Sequence, residues 1–342
     1  MSSISPQRKP SLQNIAIACH TTCATVSRVL NGVTKGFSVN DELREKILDT
    51  AKRINYRPNI AARNLISKKT KIVSVFGLIN EGVLGSPAAV TTKILSSAMS
   101  FLTRYGYEII ISRASLNDIS ASSEFSWQID GALVFQSIDS DDLKVVDRLN
   151  VPYAVINGVA TPQHHLVNPD ESSGMEKAIL HLYQLGHRCI AYCHPPVDWK
   201  HFSILARYHA YLECVKHYKL KTVDGCDQFF PSAEMWVQQV LLPSKATALI
   251  CYNHSRSLPL LKAIKDAGLK VPRDLSFISY DDTYACAYVE PAMTVISLPL
   301  QELGELGAKL LLRSIEQDEI SPQNVFLPET LILRNSTDSA PN

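Results

Sequence analysis

Over the first sixty residues the apolar positions recur three and four apart, and from Lys71 onward they gather into short continuous runs. The first pattern is that of small amphipathic helices, the second that of buried strands alternating with helices. Leu12, Ile15 and Ala16 make one stripe, and Val26, Val29 and Leu30 make another. Thr25, Ser27, Arg28 and Asn31 point away from the second stripe. Ser11 is a candidate N-cap for a helix to about Ala18, and Thr22 for one over Cys23 to Leu30, across a turn that contains His20. Asn40 would cap a third helix, Asp41 to Asn55, with Leu43, Ile47, Leu48, Ala51 and Ile54 facing the pair. Its acidic first turn and basic last residues, Lys52 and Arg53, suit the helix dipole. After this three-helix unit, Pro58 opens a segment too short to be a stable helix alone.

Beyond Lys71, buried strands are expected at Ile72 to Ile79, Glu108 to Ser112, Gly131 to Phe135 and Tyr153 to Ile156. Helices at Thr92 to Tyr105, Ile119 to Gln128 and Asp141 to Leu149 would separate them. A second series follows, with strands at Cys189 to Cys193, Ala246 to Cys251 and Ser276 to Tyr280. Its helices are expected near Ser173 to Leu185, Ala206 to Tyr218, Ala233 to Leu242 and Ser257 to Ala267. Gly304 and Gly307 sit in a further run of helix formers, where they mark close packing. Two successive βα series predict two doubly wound sheets side by side, with ligands expected in the cleft at the strand C-termini.

Charge divides the chain at the same place. Residues 1–71 hold 13 Lys and Arg against 4 Asp and Glu, a balance of +9; the remaining 21 and 29 give −8, so the overall +1 hides the asymmetry. A basic head on an acidic body implies a polyanionic partner for the head. No apolar run reaches the roughly 18 residues of a membrane span, and residues 1–10 lack a signal-peptide core, so a cytoplasmic protein is expected. The eight cysteines are scattered, and Cys189, Cys251 and Cys286 lie in apolar runs as reduced core thiols.

The head motif, Ser11-Leu12-Gln13-Asn14-Ile15-Ala16 followed by Ala24-Thr25-Val26-Ser27-Arg28-Val29-Leu30-Asn31-Gly32, resembles the DNA-binding head of the LacI/GalR repressors. Tyr56-Arg57-Pro58-Asn59 with Ala62 and Leu65 looks like their hinge helix. The sensor core is matched by Asp130-Gly131, by Leu185-Gly186-His187-Arg188, by Gly268 to Ser276, by Tyr280-Asp281-Asp282 and by Pro291 to Val295. The resemblance covers nearly the whole chain. It implies a multi-domain protein: an all-α helix-turn-helix head over residues 1–57, a hinge helix and linker over 58–70, and an α/β two-lobed core, like type I periplasmic binding proteins, over 71–342.

On this resemblance the DNA-binding residues are Ser11, Leu12, Thr22, Cys23, Ala24, Thr25, Ser27, Arg28, Asn31, Tyr56, Asn59, Ala62 and Leu65. Arg28 can grip guanine through two hydrogen bonds, while Thr22, Thr25, Ser27 and Asn31 suit phosphates or nearby bases. Cys23 and Ala24 stand at the family's base-selecting positions but are too short to bridge to a purine edge. His20 replaces a usual turn glycine, and a left-handed backbone there costs roughly 1 kcal/mol. Leu65 matches the hinge leucine that wedges into a base step from the minor groove, which requires two hinges and hence a homodimer or tetramer on a near-palindromic operator.

Arg207, Asn253 and Asp281 match the family's effector-binding positions, although Ala210 replaces a glycine and His254 an acid. The resemblance thus implies a DNA-binding transcriptional regulator, most simply a repressor, whose operator affinity responds to a sugar or nucleoside. The alternatives are a small-molecule binding protein on the same core, which would have no use for the basic head, or a regulator that answers to a protein partner. No catalytic residue, metal site or cofactor is expected. Cys19, His20 and Cys23, or Cys189, Cys193 and His194, lack paired zinc spacing, and no GxSxG, P-loop or GxGxxG is present. His164 and His165 read as a solvated loop, and the adjacent Asp281 and Asp282 do not face each other for acid–base chemistry.

Overall fold

The computed structural model describes residues 10–30, 32, 37–56, 69–77, 88–112, 129–135, 143–195, 201–317 and 321–341. The chain falls into two compact units, Met1–Thr70 and Lys71–Asn342. Asn31, Asn59, Ala62, Leu65 and the helix expected over 119–128 lie outside the described residues.

In the first unit, α1 (Leu12–Ala18), α2 (Cys23–Leu30) and α3 (Asp41–Arg53) enclose a small core of Ile15, Ala16, Cys19, Val26, Val29, Ile47 and Ala51. Leu48 is a correction to the expected stripe: it is exposed, and Thr50 is buried instead. Adjacent helix positions lie about 100° apart, so Ile47 and Leu48 cannot both face inward. Thr50 is three residues on from Ile47, and its hydroxyl accepts the Cys19 thiol at 3.5 Å.

Among the described residues the second unit holds two sheets. One has the order β10-β5-β4-β3-β1-β2 and the other β11-β9-β8-β7-β6. The strands are β1 (Ile72–Phe76), β2 (Glu108–Ile111), β3 (Gly131–Phe135), β4 (Tyr153–Ile156), β5 (His165–Asp170), β6 (Ile190–Cys193), β7 (Ala248–Cys251), β8 (Ser276–Tyr280), β9 (Thr294–Ser297), β10 (Asn324–Pro328) and β11 (Thr330–Ile332). All pairs are parallel except β11 with β9. Strands β3, β4, β7 and β8 are buried throughout, which is why they carry continuous apolar runs.

The helices of this unit are α4 (Ala88–Arg104), α5 (Lys144–Asp147), α6 (Glu171–Gln184), α7 (Phe202–His217), α8 (Ala233–Trp236, prolonged by the π-helical Val237–Leu241), α9 (His254–Asp266), α10 (Tyr284–Tyr288) and α11 (Leu300–Glu316). Helix α11 returns to the first lobe and packs on α4. The close approach passes through two glycines: a Cβ on Gly304 would stand 2.2 Å from the Ile94 carbonyl oxygen, and one on Gly307 would stand 2.3 Å from Ile156.

The two lobes are therefore not two successive stretches of sequence. The chain crosses from the first sheet to the second after β5, back after β9, and over again between β10 and β11. The strand β5 also corrects the reading of His164 and His165 as a solvated loop. His165 is buried, with Nε2 2.9 Å from the Ser314 hydroxyl, and His164 stacks on Tyr153 at 4.1 Å between ring centroids. The Gln323 N–H, just before β10, donates to His165 Nδ1 at 3.0 Å and helps enclose that ring.

Candidate functional site

The first candidate surface belongs to the head. The Ser11 hydroxyl accepts the Asn14 N–H while the Ser11 N–H donates to Asn14 Oδ1 at 3.0 Å, a reciprocal cap that fixes the start of α1. His20 takes the left-handed backbone, φ 53°, that turns the chain toward α2. The Thr22 hydroxyl then accepts the Thr25 N–H at 3.1 Å. With Val26 and Val29 buried against α1 and α3, the opposite side of α2 leaves Cys23, Ala24 and Arg28 exposed and Thr25 and Ser27 half-buried. The Arg28 guanidinium lies 5.2 Å from the Phe37 ring centroid, an attraction that steadies the arm without engaging its donors. Tyr56 is half-buried and packs on the head core, its N–H held by the Ala51 carbonyl at 2.9 Å. Half-buried Leu12 likewise packs there.

The second lies in the core, at the C-terminal edge of the second sheet, where Arg207, Asn253 and Asp281 converge. Arg207, on the second turn of α7, is buried. Its Nε donates to Glu171 Oε2 at 2.5 Å, its Nη2 to Glu171 Oε1 at 3.2 Å, and its Nη1 to the Tyr252 carbonyl at 2.7 Å. The guanidinium carbon is 3.9 Å from the Tyr280 ring centroid and 4.9 Å from that of Tyr252. Asn253 follows Tyr252 and caps α9, its side-chain oxygen accepting the Arg256 N–H at 3.1 Å. Asp281 follows β8 with φ 69° and takes a hydrogen bond from His254 Nδ1 at 3.2 Å. The residue that caps α10 is Thr283, so Asp281 is not held there by a capping role.

Several neighbours escaped the reading of the sequence. Glu171, the first residue of α6, is the bidentate partner of Arg207. Glu329, between β10 and β11, is fully buried beside Glu171, and neither of its oxygens has a hydrogen bond of ordinary geometry. Burial, then the neighbouring Glu171 charge, push its carboxyl well above the usual range, so it holds its proton. His201 caps α7: Nε2 meets the Asn157 carbonyl at 3.2 Å and Nδ1 meets the Ser203 hydroxyl at 2.8 Å. Burial and then the Arg207 charge drive its pKa down to about 4. His194 is enclosed by Tyr192, Tyr208 and Phe229, and burial lowers it to about 4 as well. No local signal marks Glu171, which lies 36 residues from Arg207, or the bond of His201 to Asn157, 44 residues away, whereas the contacts of His201 with Ser203 and of His194 with Tyr192 are local.

A cavity of about 600 Å³ is lined by Asp281 and Asp282, by Lys93 and Ser97 of α4, and by Gln301 and Glu305 of α11, while Arg207 and Asn253 do not border it. Among the described residues no cluster of three or more His, Cys, Asp or Glu is arranged to hold a metal ion, and no helix is long and apolar enough to cross a membrane.

Two family models match the chain: "Bacterial regulatory proteins, lacI family" over residues 11–59, and "Periplasmic binding protein-like domain" over residues 179–337. Catabolite control protein A of Staphylococcus epidermidis is 30% identical over 344 residues, covering 95% of this chain and 98% of that protein. Among solved structures, the lac repressor dimer bound to operator and the anti-inducer ONPF superposes with a TM-score of 0.80 at 22% identity, covering 97% of this chain and 100% of that one. The transcriptional regulator CelR in complex with cellobiose gives a TM-score of 0.67 at 24% identity, covering 96% of this chain and 99% of that one.

Proposed function

Because this chain belongs to the lacI family of bacterial regulatory proteins, we propose that it is a sequence-specific DNA-binding transcriptional regulator, a repressor acting as a homodimer. The observation that carries the reading is the head itself. Its three helices have their own core and caps, and they present the polar side of α2, with Arg28 exposed, away from that core. A helix so held can enter a major groove, where Arg28 donates to guanine while the Thr22, Thr25 and Ser27 hydroxyls address phosphates. Asn31, Tyr56, Asn59, Ala62 and Leu65 extend the proposed contact along the duplex. The acidic core is read as the sensor, a binding module without catalytic chemistry, that changes operator affinity when a sugar or nucleoside occupies the cleft. The protein would work in the cytoplasm, where its DNA lies.

The test is selection of bound duplexes from a random pool by the intact protein. A two-fold symmetric site is expected. Arg28→Ala should lose discrimination at one position of each half-site by about 1–3 kcal/mol. A selected motif unchanged by that substitution would overturn the assignment of Arg28, and failure to enrich any duplex over scrambled competitor would overturn the function.

A further inference from the structure

If the cleft is the effector site, its arginine is already engaged. A free guanidinium fork attracts carboxylates and phosphates, because both present two oxygens at the matching spacing. In this chain that position is filled from within by Glu171, through two hydrogen bonds at 2.5 and 3.2 Å, with both side chains about 95% buried. The surroundings reinforce the exclusion. Asp281 and Glu329 add two more carboxyls around the same guanidinium. Room for the last is made by Gly174, where a Cβ would stand 1.7 Å from Glu329 Oε2. An incoming acid would therefore meet an occupied fork, with the Asp281 charge and the protonated Glu329 carboxyl beside it.

We propose that Glu171 determines the ligand class of the cleft: seated on Arg207 as an internal carboxylate, it excludes acidic and phosphorylated ligands and leaves the site to uncharged or amine-bearing polyols and nucleosides. The proposal rests on the reading of this cleft as the sensor.

The experiment uses the full-length protein and acetate as the probe, at constant ionic strength against chloride. Melting of the wild type should be indifferent to the exchange of chloride for acetate or inorganic phosphate. Glu171→Ala opens a carboxylate-sized space against Arg207, and acetate should refill it. At about ten times its dissociation constant acetate should raise the melting midpoint of that variant by roughly 2–3 °C. The response should vanish in Glu171→Ala/Arg207→Met. If Glu171→Ala does not fold, Glu171→Ser, which also removes the carboxylate and leaves space beside Arg207, carries the same comparison with formate as the probe. The proposal is overturned if wild type and variant respond alike, or if the folded variant ignores the anion. Neither result bears on duplex selection, so the regulator reading can survive its loss.

Discussion

His201 ties the two lobes together, and acid should untie them. The Asn157 carbonyl can only accept, so Nε2 of His201 carries the proton and Nδ1 accepts from Ser203, whose N–H lies at 3.3 Å and hydroxyl at 2.8 Å. A second proton on Nδ1 would remove the cap of α7 and set a cation at that helix's N-terminus, beside Arg207. The folded value near 4 against an ordinary 6.5 means that, between these values, the unfolded chain binds a proton the folded one refuses. Stability is therefore complete above about pH 6.5 and falls as the pH drops toward 4. At pH 4.5 the linkage is worth about 2.5 kcal/mol; allowing for the ring's partial exposure leaves about 2. Urea unfolding followed by the fluorescence of buried Trp236 measures it. With a slope of roughly 3 kcal/mol/M, the histidine's share of the midpoint loss is about 0.7 M between about pH 7.5 and 4.5. His201→Asn keeps a capping oxygen but cannot titrate. It should be about 1 kcal/mol less stable than wild type at neutral pH, for want of the bridge to Asn157, and should lose that deficit in acid. Other histidines titrate equally in both proteins and cancel. Parallel pH curves for the two would refute the reasoning.

Two further substitutions probe the core. Gly304→Ala gains about 1 kcal/mol of helix propensity but drives a methyl to 2.2 Å from the Ile94 carbonyl, so α11 and α4 must part, and a net loss of about 2 kcal/mol is expected; a raised thermal midpoint would contradict the close packing. Glu329→Gln removes a carboxyl whose folded pKa is raised by burial and by Glu171, a group that weakens the fold as pH rises above the free value of 4.5. The variant should gain on wild type as the pH rises above about 5 in the same urea assay, and a constant difference would show that Glu329 is not protonated in the fold.

How far the sequence could be read depended on whether a residue's partners were near it. Gly131–Phe135, Tyr153–Ile156 and Ser276–Tyr280 were legible to the residue, because strands buried on both faces need unbroken apolar runs. The caps Ser11, Thr22 and Asn40 were legible because their hydrogen bonds close within three residues. His165–Asp170 was missed, since it carries His165, Asn168 and Pro169 in place of an apolar run. It is a strand because those polar groups are satisfied from elsewhere: Asn168 bonds both to the Gly158 N–H and to its carbonyl, and His165 meets Ser314, 149 residues away. The cleft divides the same way. Arg207, Asn253 and Asp281 stand in recognisable motifs, whereas Glu171 lies 36 residues from Arg207 and looks like any acidic residue opening a helix.

The distribution of these groups between the lobes decides what an effector has to do. Glu171 and Arg207 belong to α6 and α7, which pack on each other within the second lobe, so their pair persists whether the lobes open or close. It can exclude anions in both states but cannot favour either. The bond from His201 to the Asn157 carbonyl differs, since α7 belongs to the second lobe and Asn157 follows β4 of the first. One such bond contributes about 1 kcal/mol. A ligand biases a two-state protein only by the difference between its affinities for the two states. Two or three hydrogen bonds from an uncharged ligand to both lobes would outweigh that latch and supply the 1–3 kcal/mol of coupling typical of regulated binding. A weak latch beside an internally paired arginine would thus make lobe closure respond to neutral hydrogen-bonding ligands.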